Sequence, residues 1–211
     1  MLETVVRFFQ EGGLFMYPIA LVLIIGLAIA IERYVYLSSA KSKNRDAFDR
    51  GILPILRKRD YKSALKFAND SSTPIAAIMG AGLSRLLGER GRDEIEFAME
   101  EGLMETLPRL EKRTQYLATL ANVSTLLGLL GTIIGLIAAF TAVANADPAE
   151  KASLLSQSIS VAMNTTAFGL MSAIPLLLFH AVLQTKTNEI VDSFEMAGVK
   201  LLNMISDHQA K

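Results

Sequence analysis

The sequence predicts an all-α, polytopic membrane protein with three transmembrane helices, of which the second and third are long and extend into a cytoplasmic helical domain. Two observations lead to this fold class. Of the 211 residues, 51% are hydrophobic, and the mean hydropathy of +0.36 is one that a solvated soluble domain seldom reaches. Three uncharged tracts also alternate with charged segments, and each approaches or exceeds the ~20 apolar residues that cross a bilayer.

The first tract, Leu14–Ile31, predicts an uncleaved membrane helix. Glu3 and Glu11 accompany Arg7 ahead of it, so the basic start of a signal peptide is missing. Apart from Gly26 the tract is bulky and apolar, which favours a lipid-facing position. We therefore expect residues 1–37 to form an outer N-terminus and the first transmembrane helix.

The segment 38–116 has the composition of a helical domain outside the membrane. Turn and capping residues divide it at positions 59–60, 69–74 and 88–91. Ile95, Met99, Leu103, Leu107 and Leu110 recur at helical spacing in its last part. The predicted helices are Asn44–Arg57, Asp60–Asn69 with Asp60 as its N-cap, Pro74–Leu87 and Arg92–Tyr116.

Residues 117–185 contain the second and third membrane helices, separated by a turn at Asn145–Pro148. No glycine or proline separates Leu110 from the second span, so we expect one straight rod that enters the membrane. The tail 186–211 alternates apolar and charged residues, with Ile190, Phe194, Val199 and Leu202 on the apolar side of a predicted amphipathic helix.

The distribution of basic residues predicts the topology. Fifteen of the 21 Lys and Arg residues lie between Lys41 and Arg113, and basic loops remain in the cytoplasm. We expect a bacterial inner-membrane protein with its N-terminus in the periplasm and its C-terminus in the cytoplasm.

Two threonines are the main candidates for an ion pathway. Thr132 and Thr166 lie near the middle of the second and third tracts, and two antiparallel helices would bring them to similar depth. Thr165 and Asn164 are the neighbouring candidates for pore-lining residues. An alternative stays open, in which each threonine bonds to its own helix and serves packing. Asn164 likewise lines a pore or joins two helices.

Small residues on the same two tracts predict close helix packing, because lipid supplies no hydrophobic drive between helices. Pro175 removes a backbone donor and favours a bend in the third helix. His180 is interpreted as an interfacial side chain. The glycines assigned to packing are Gly128, Gly131, Gly135 and Gly169.

Charged residues are missing from the second and third tracts. A proton path through a membrane normally uses an ionisable relay, so a conducting protein of this kind needs a carboxylate from another chain. Zero net charge gives no reason to expect nucleic acid as a partner. Motifs of enzymes and ligand-spaced histidine pairs are absent from the sequence, and neither a resident cofactor nor a bound metal is expected.

The stretches LEKRTQYLATLANVSTLLGLLGTIIGLIAAF and SISVAMNTTAFGLMSAIPLLL resemble the MotA/TolQ/ExbB proton channel family, specifically its ExbB/TolQ branch. The opening MYPI…IERYVYL is also similar to that branch. The resemblance implies a homopentamer that encloses the membrane helices of an ExbD- or TolR-like dimer. The partner's aspartate would take up H⁺, with Na⁺ as the alternative ion, and drive a TonB- or TolA-like protein. Thr132 and Thr166 match the family's pore-facing threonines.

Three positions depart from the family pattern. Val161 stands where a Glu is frequent, Thr125 where a Pro precedes GLLGT, and Asn164 where an aliphatic residue is usual. A non-conducting structural scaffold remains the alternative from another functional class. A gliding or flagellar-type stator subunit is the alternative within the same class.

Overall fold

The computed structural model describes residue 9, residues 12–144 and residues 146–209, with side chains described as far as Ser206. Every element in this part of the chain is helical, and three helical stretches are long and apolar enough to cross a membrane. Outside the described part lie most of the predicted periplasmic N-terminus (residues 1–8, 10 and 11), Asn145 of the predicted turn, and residues 210–211. The α-helices are α1 (Met16–Asp46), α2 (Leu53–Arg57), α3 (Tyr61–Asp70), α4 (Pro74–Leu87), α5 (Arg92–Glu111), α6 (Thr114–Ala144) and α7 (Lys151–Gln209).

The chain divides into two compact units. The membrane unit comprises residues 1–32 and 113–182, and the polar unit comprises residues 33–112 and 183–211. The tail 186–211 therefore belongs with the charged middle segment of the chain.

In the polar unit, the first helix does not stop where its apolar tract stops. It continues to Asp46, and a π-helical segment at Ala47–Ile52 then leads into α2. The predicted helix start at Asn44 is wrong, because this residue is buried inside α1. Its side-chain oxygen accepts a hydrogen bond from the Ile75 backbone N–H at 3.0 Å. A residue of α1 thus satisfies a free donor in the first turn of α4.

The predicted boundaries of α3 and α4 agree closely with the structure. Asp60 is the N-cap of α3, and its Oδ1 accepts a hydrogen bond from the Ser63 backbone N–H at 3.0 Å. A hydrogen bond from the Ser63 hydroxyl, together with that backbone hydrogen bond, holds the pKa of the Asp60 carboxyl below its ordinary value of 3.8. Pro74 begins α4 at a position where its missing N–H costs nothing.

The predicted straight rod from Arg92 into the membrane is interrupted. Helix α5 ends at Glu111, Lys112 is extended and Arg113 has a positive φ of 66°. Within the polar unit, the buried Arg33 guanidinium donates to the Leu110 carbonyl in the last turn of α5. A cation at this end of a helix also complements its dipole. Helix α5 therefore ends without a glycine at its C-terminus.

Helix α7 has 59 residues and passes Pro175 without ending. Its last part is amphipathic, as predicted, with Ile190, Phe194 and Leu202 buried. Val199 was predicted on the apolar side but is 51% exposed.

Candidate pore-lining site in the membrane unit

Helices α6 and α7 approach closely enough for backbone contact. A Cβ atom placed on Gly169 would lie 2.8 Å from the Ser124 carbonyl oxygen and 3.0 Å from the Gly128 Cα. These distances are shorter than real Cβ contacts, so neither position accepts a larger residue without movement. Gly131 and Gly135 follow on the same face of α6, against Thr165 and Ala162 of α7. The four glycines that the sequence suggested for packing thus lie together at one helix–helix interface.

The structure brings the two candidate threonines together at this interface. The Thr132 and Thr166 hydroxyls are hydrogen-bonded to each other, although 34 residues separate them in the chain. The Thr132 Oγ1 also lies 3.2 Å from the Gly128 carbonyl and 3.1 Å from the Ala162 carbonyl. The Thr166 Oγ1 lies 3.1 Å from the Gly128 carbonyl. Both threonines are half-buried.

This hydroxyl pair has more acceptors than donors. Each hydroxyl brings one hydrogen and two lone pairs, and two carbonyl oxygens lie within reach. When Thr132 donates to the Ala162 carbonyl, the Thr166 oxygen accepts no hydrogen bond from a described residue. The pair therefore retains oxygen lone pairs that can accept a hydrogen bond or coordinate a small cation.

Thr165 and Asn164 occupy different surroundings. Thr165 is buried, and its hydroxyl lies 2.9 Å from the Val161 carbonyl and 2.7 Å from the Gly12 carbonyl. These hydrogen bonds within one chain suit a role of Thr165 in helix packing. Asn164 is half-buried, and its side chain has no hydrogen bond to a described residue. Its assignment to a pore or to an interhelical contact stays a prediction.

The contacts of α1 give the level of the hydroxyl pair relative to the first span. Helix α1 packs alongside α7, with Gly26 against Leu176, and Gly131 of α6 lies against Phe15 just before α1 begins. The three helices cross the same bilayer, and the shortest uncharged stretch, 12–31, limits the hydrocarbon layer. The pair is therefore level with the start of the first span. About 27 Å of α6 separates Thr132 from Thr114 at the other end.

Several buried polar groups lie along that remaining length, and two of them, both serines, were missed by sequence reasoning. The Ser124 and Ser172 hydroxyls are fully buried and have no hydrogen-bond partner among the described residues. By helical spacing, both lie about one turn beyond the Gly128–Gly169 contact. Nε2 of His180, two turns further along α7, is also buried without such a partner. Ser124 and Ser172 fall at helical spacing among the small residues of their helices, and this pattern in the sequence could have identified them.

A charged pair marks the end of the membrane unit. The Arg113 Nη1 lies 3.3 Å from the Glu32 Oε2, and both side chains are about half exposed. Beyond this pair, large apolar side chains cover the outside of the membrane unit. Those on α6 with more than half of their surface exposed are Leu126, Leu129, Ile137 and Phe140.

Residues 70–196 match the MotA/TolQ/ExbB proton channel family. The chain belongs to this family. An ExbB homolog from Methanothermobacter thermautotrophicus is 30% identical over 92% of this chain and 67% of its own length. An ExbB-like protein from Synechocystis is 31% identical over 83% of each chain. The Tol-Pal system protein TolQ of Haemophilus influenzae is 34% identical over 46% of this chain and 42% of its own length.

The ExbB and TolQ names of these relatives support the ExbB/TolQ branch of the family. The chain is accordingly a multi-pass, transport-related membrane subunit. One family position, Val161, lies against Gly13, because a Cβ on Gly13 would be 3.1 Å from the Val161 Cγ1. Val161 therefore packs against the N-terminal segment of the same chain.

Proposed function

We propose that this protein is the channel-forming subunit of an ion-driven motor in the bacterial inner membrane. Five copies enclose the membrane helices of a dimeric, single-span ExbD- or TolR-like partner. An aspartate or glutamate of that partner takes up H⁺ beside the hydroxyl pair, and its movement performs work through a TonB- or TolA-like protein in the periplasm.

The observation that carries this proposal is the acceptor-rich pair of Thr132 and Thr166. It lies between two helices whose membrane tracts hold no Asp, Glu, Lys or Arg. Hydroxyl and carbonyl oxygens cannot release a proton at neutral pH, but they can accept a hydrogen bond from a protonated carboxyl. A titrating group from a second chain completes the site.

The orientation follows from charge. The basic residues of the polar unit, Lys41 to Lys66 among them, favour the cytoplasmic side. The hydroxyl pair then lies toward the periplasmic side of the membrane. Ions from the periplasm reach it after a short path.

Proton and sodium coupling make different demands on the pair. A carboxyl of the partner carries a proton without a fixed coordination number, whereas Na⁺ needs several oxygens around it. Protons are the simpler fit, because two hydroxyls and two carbonyls of the described residues converge here. Flux measured in proteoliposomes under a pH gradient and then under a sodium gradient distinguishes the two.

The first experiment is native mass spectrometry of the detergent-extracted protein, expressed with and without a single-span partner that carries an acidic residue in its span. Five copies of this chain with two of the partner are expected. A stable monomer or dimer that binds no partner would overturn the proposal and leave the glycines as packing residues alone.

The scaffold alternative is favoured by one observation, namely that both hydroxyls already have carbonyl acceptors within their own chain. A scaffold tolerates Thr→Ser and Thr→Ala equally well, since only packing changes. In a conducting subunit Thr→Ser preserves flux and Thr→Ala does not. A gliding or flagellar-type machine would use the same motor with a different output.

A further inference from the structure

Positive and negative charge are segregated within the polar unit. Residues 41–70 contain nine Lys and Arg and four Asp, which gives this segment a net charge of +5. Helix α5 contains seven Asp and Glu and two Arg, which gives it a net charge of −5. The zero net charge of the whole chain therefore results from separate regions of opposite sign.

Helix α4 lies between the basic α3 and the acidic α5 and packs against both. A Cβ atom on Gly80 would lie 3.4 Å from the Ala68 Cβ of α3, and a Cβ atom on Gly82 would lie 2.7 Å from the Met99 Cγ of α5. Residues two positions apart on a helix point in directions that differ by about 200°. Helices α3 and α5 therefore contact opposite sides of α4.

The lysines of α3 point away from α4. Ala68 faces Gly80 of α4, and Ala64, one turn earlier, is fully buried. Lys62 and Lys66 each lie two positions before one of these alanines, and both are exposed. We call Lys62 and Lys66 the basic face of the polar unit.

The outward side of α5 combines carboxylates with large apolar groups. Phe97 and Met104 are 67% and 70% exposed. Met99 faces α4, and Phe97 and Glu101 lie two positions to either side of it, so they point away from α4. Five side chains line one open depression of about 490 Å³, and we call them the acidic face: Phe97, Glu100, Glu101, Met104 and Glu105.

The two faces have complementary chemistry. Aromatic residues and methionine are enriched in protein interfaces relative to the rest of a protein surface, which is where Phe97 and Met104 lie. A lysine can cover an apolar ring with its aliphatic stem while its ammonium group reaches a carboxylate. Lys62 and Lys66 supply two such side chains on the opposite side of the polar unit. One copy therefore carries both halves of a contact and cannot bring them together by itself.

We infer that the acidic face of one copy packs against the basic face of the next copy. Two acidic faces repel each other, so the charges disfavour a symmetric contact between two α5 helices and favour a head-to-tail contact. A head-to-tail contact that is repeated by rotation closes into a ring. The presence of a ring rests on the proposed function, whereas the pairing of the two faces rests on their charges. Because exposed ion pairs contribute little stability, burial of Phe97 and Met104 supplies most of it.

Photocrosslinking tests the contact with the full chain in the membranes of cells that express it. A benzoylphenylalanine in place of Met104 is expected to give a covalent dimer on a denaturing gel. Mass spectrometry of its peptides is expected to find the second attachment point within residues 53–70. The matched control carries the same group in place of Val199, an exposed residue outside both faces, and should form no adduct with residues 53–70. Attachment from Met104 to another segment, or no dimer at all, would overturn the inference.

Charge reversal tests which groups meet. Glu101→Lys with Glu105→Lys places like charges opposite Lys62 and Lys66 of the next copy. The yield of the Met104 cross-link is expected to fall about fivefold, as for the loss of two exposed ion pairs. Adding Lys62→Glu with Lys66→Glu exchanges the two signs, and the yield is expected to recover. An unchanged yield in the first variant would overturn the inference.

A second combination controls for net charge. Lys151→Glu with Lys200→Glu restores the original net charge at two lysines of α7 that belong to neither face. When this change is added to Glu101→Lys with Glu105→Lys, the yield is expected to stay low. Recovery in this control would show that net charge alone determines the yield, and the pairing of faces would be wrong.

Native mass spectrometry distinguishes a failure of this inference from a failure of the proposed function. A pentamer whose Met104 cross-links reach another segment overturns only the pairing of the faces. A monomer that binds no partner overturns both, because no neighbouring copy is then present.

Discussion

The hydroxyl groups of Thr132 and Thr166 are hydrogen-bonded to each other across the α6–α7 interface, and the oxygen of each lies within 3.2 Å of the Gly128 carbonyl. The chain reaches this arrangement by running α6 and α7 antiparallel and by removing side chains at Gly128 and Gly169. Close helix packing and the polar site therefore have one structural cause. Three of the four predictions below test that link from different sides.

Thr132→Val combined with Thr166→Val removes both hydroxyls and keeps the side-chain shape. We expect partner-dependent ion flux in proteoliposomes to fall about fivefold or more, as for the loss of one hydrogen bond of about 1 kcal/mol. Native mass spectrometry should show unchanged assembly. Thr119→Val on an exposed face of α6 is the control and should keep full flux. Normal flux in the double variant would rule out the pore assignment.

Gly169→Ala places a methyl group 2.8 Å from the Ser124 carbonyl. The helices must separate, at a cost of about 1–3 kcal/mol in unfolding free energy, and a thermal melt in detergent measures it. Gly198→Ala on the same helix is the matched control, since its added Cβ would lie 3.7 Å from the Met99 Cε, an ordinary contact. A melting temperature that stays the same in both variants would contradict the backbone contact.

Ser124→Ala with Ser172→Ala removes two buried hydroxyls that have no partner among the described residues. A buried hydroxyl without a hydrogen bond costs about 1–3 kcal/mol, so the double variant is expected to melt at a higher temperature. Thr114→Ser, which keeps a hydroxyl at another buried position, serves as the comparison. A lower melting temperature in the alanine variant would instead indicate that a bound water satisfies both serines.

Asp60 makes the start of α3 sensitive to acid. Its folded-state pKa is lowered below 3.8 by the hydrogen bonds from Ser63, so its stabilisation is present above that value and is lost as the pH falls through the folded-state pKa. Protection of the Ser63 amide against hydrogen exchange, taken relative to the intrinsic exchange rate at each pH, is expected to fall below about pH 4. In Asp60→Asn the cap oxygen remains without a charge, and this loss of protection should disappear.

Sequence reasoning worked where the signal was local. The Asp60 cap and the proline at the start of α4 lie within a few residues of the boundaries that they determine. Spacing alone was also enough to pair Thr132 with Thr166, because two antiparallel helices have little freedom in their register. The packing glycines followed from the same regularity.

The missed features depend on distant residues. Helix α5 ends at Glu111 without a glycine, and Arg33, 77 residues before Leu110, donates to the Leu110 carbonyl in its last turn. Val199 fits an apolar stripe by spacing, yet it is 51% exposed. Spacing also does not give the depth of the hydroxyl pair relative to α1, since the midpoint of a tract equals the midpoint of the membrane only when the tract is no longer than the membrane is thick.

That depth has an electrical consequence for the proposed motor. Moving one elementary charge through the whole membrane potential releases about 2.3 kcal/mol per 100 mV. An ion bound level with the start of α1 has crossed only a small fraction of the voltage drop, and nearly all of it remains on the way to the cytoplasm. Loading from the periplasm then responds to ion concentration, whereas discharge past Ser124 and His180 responds to voltage. The two components of the ion-motive force would act on separate steps of one cycle.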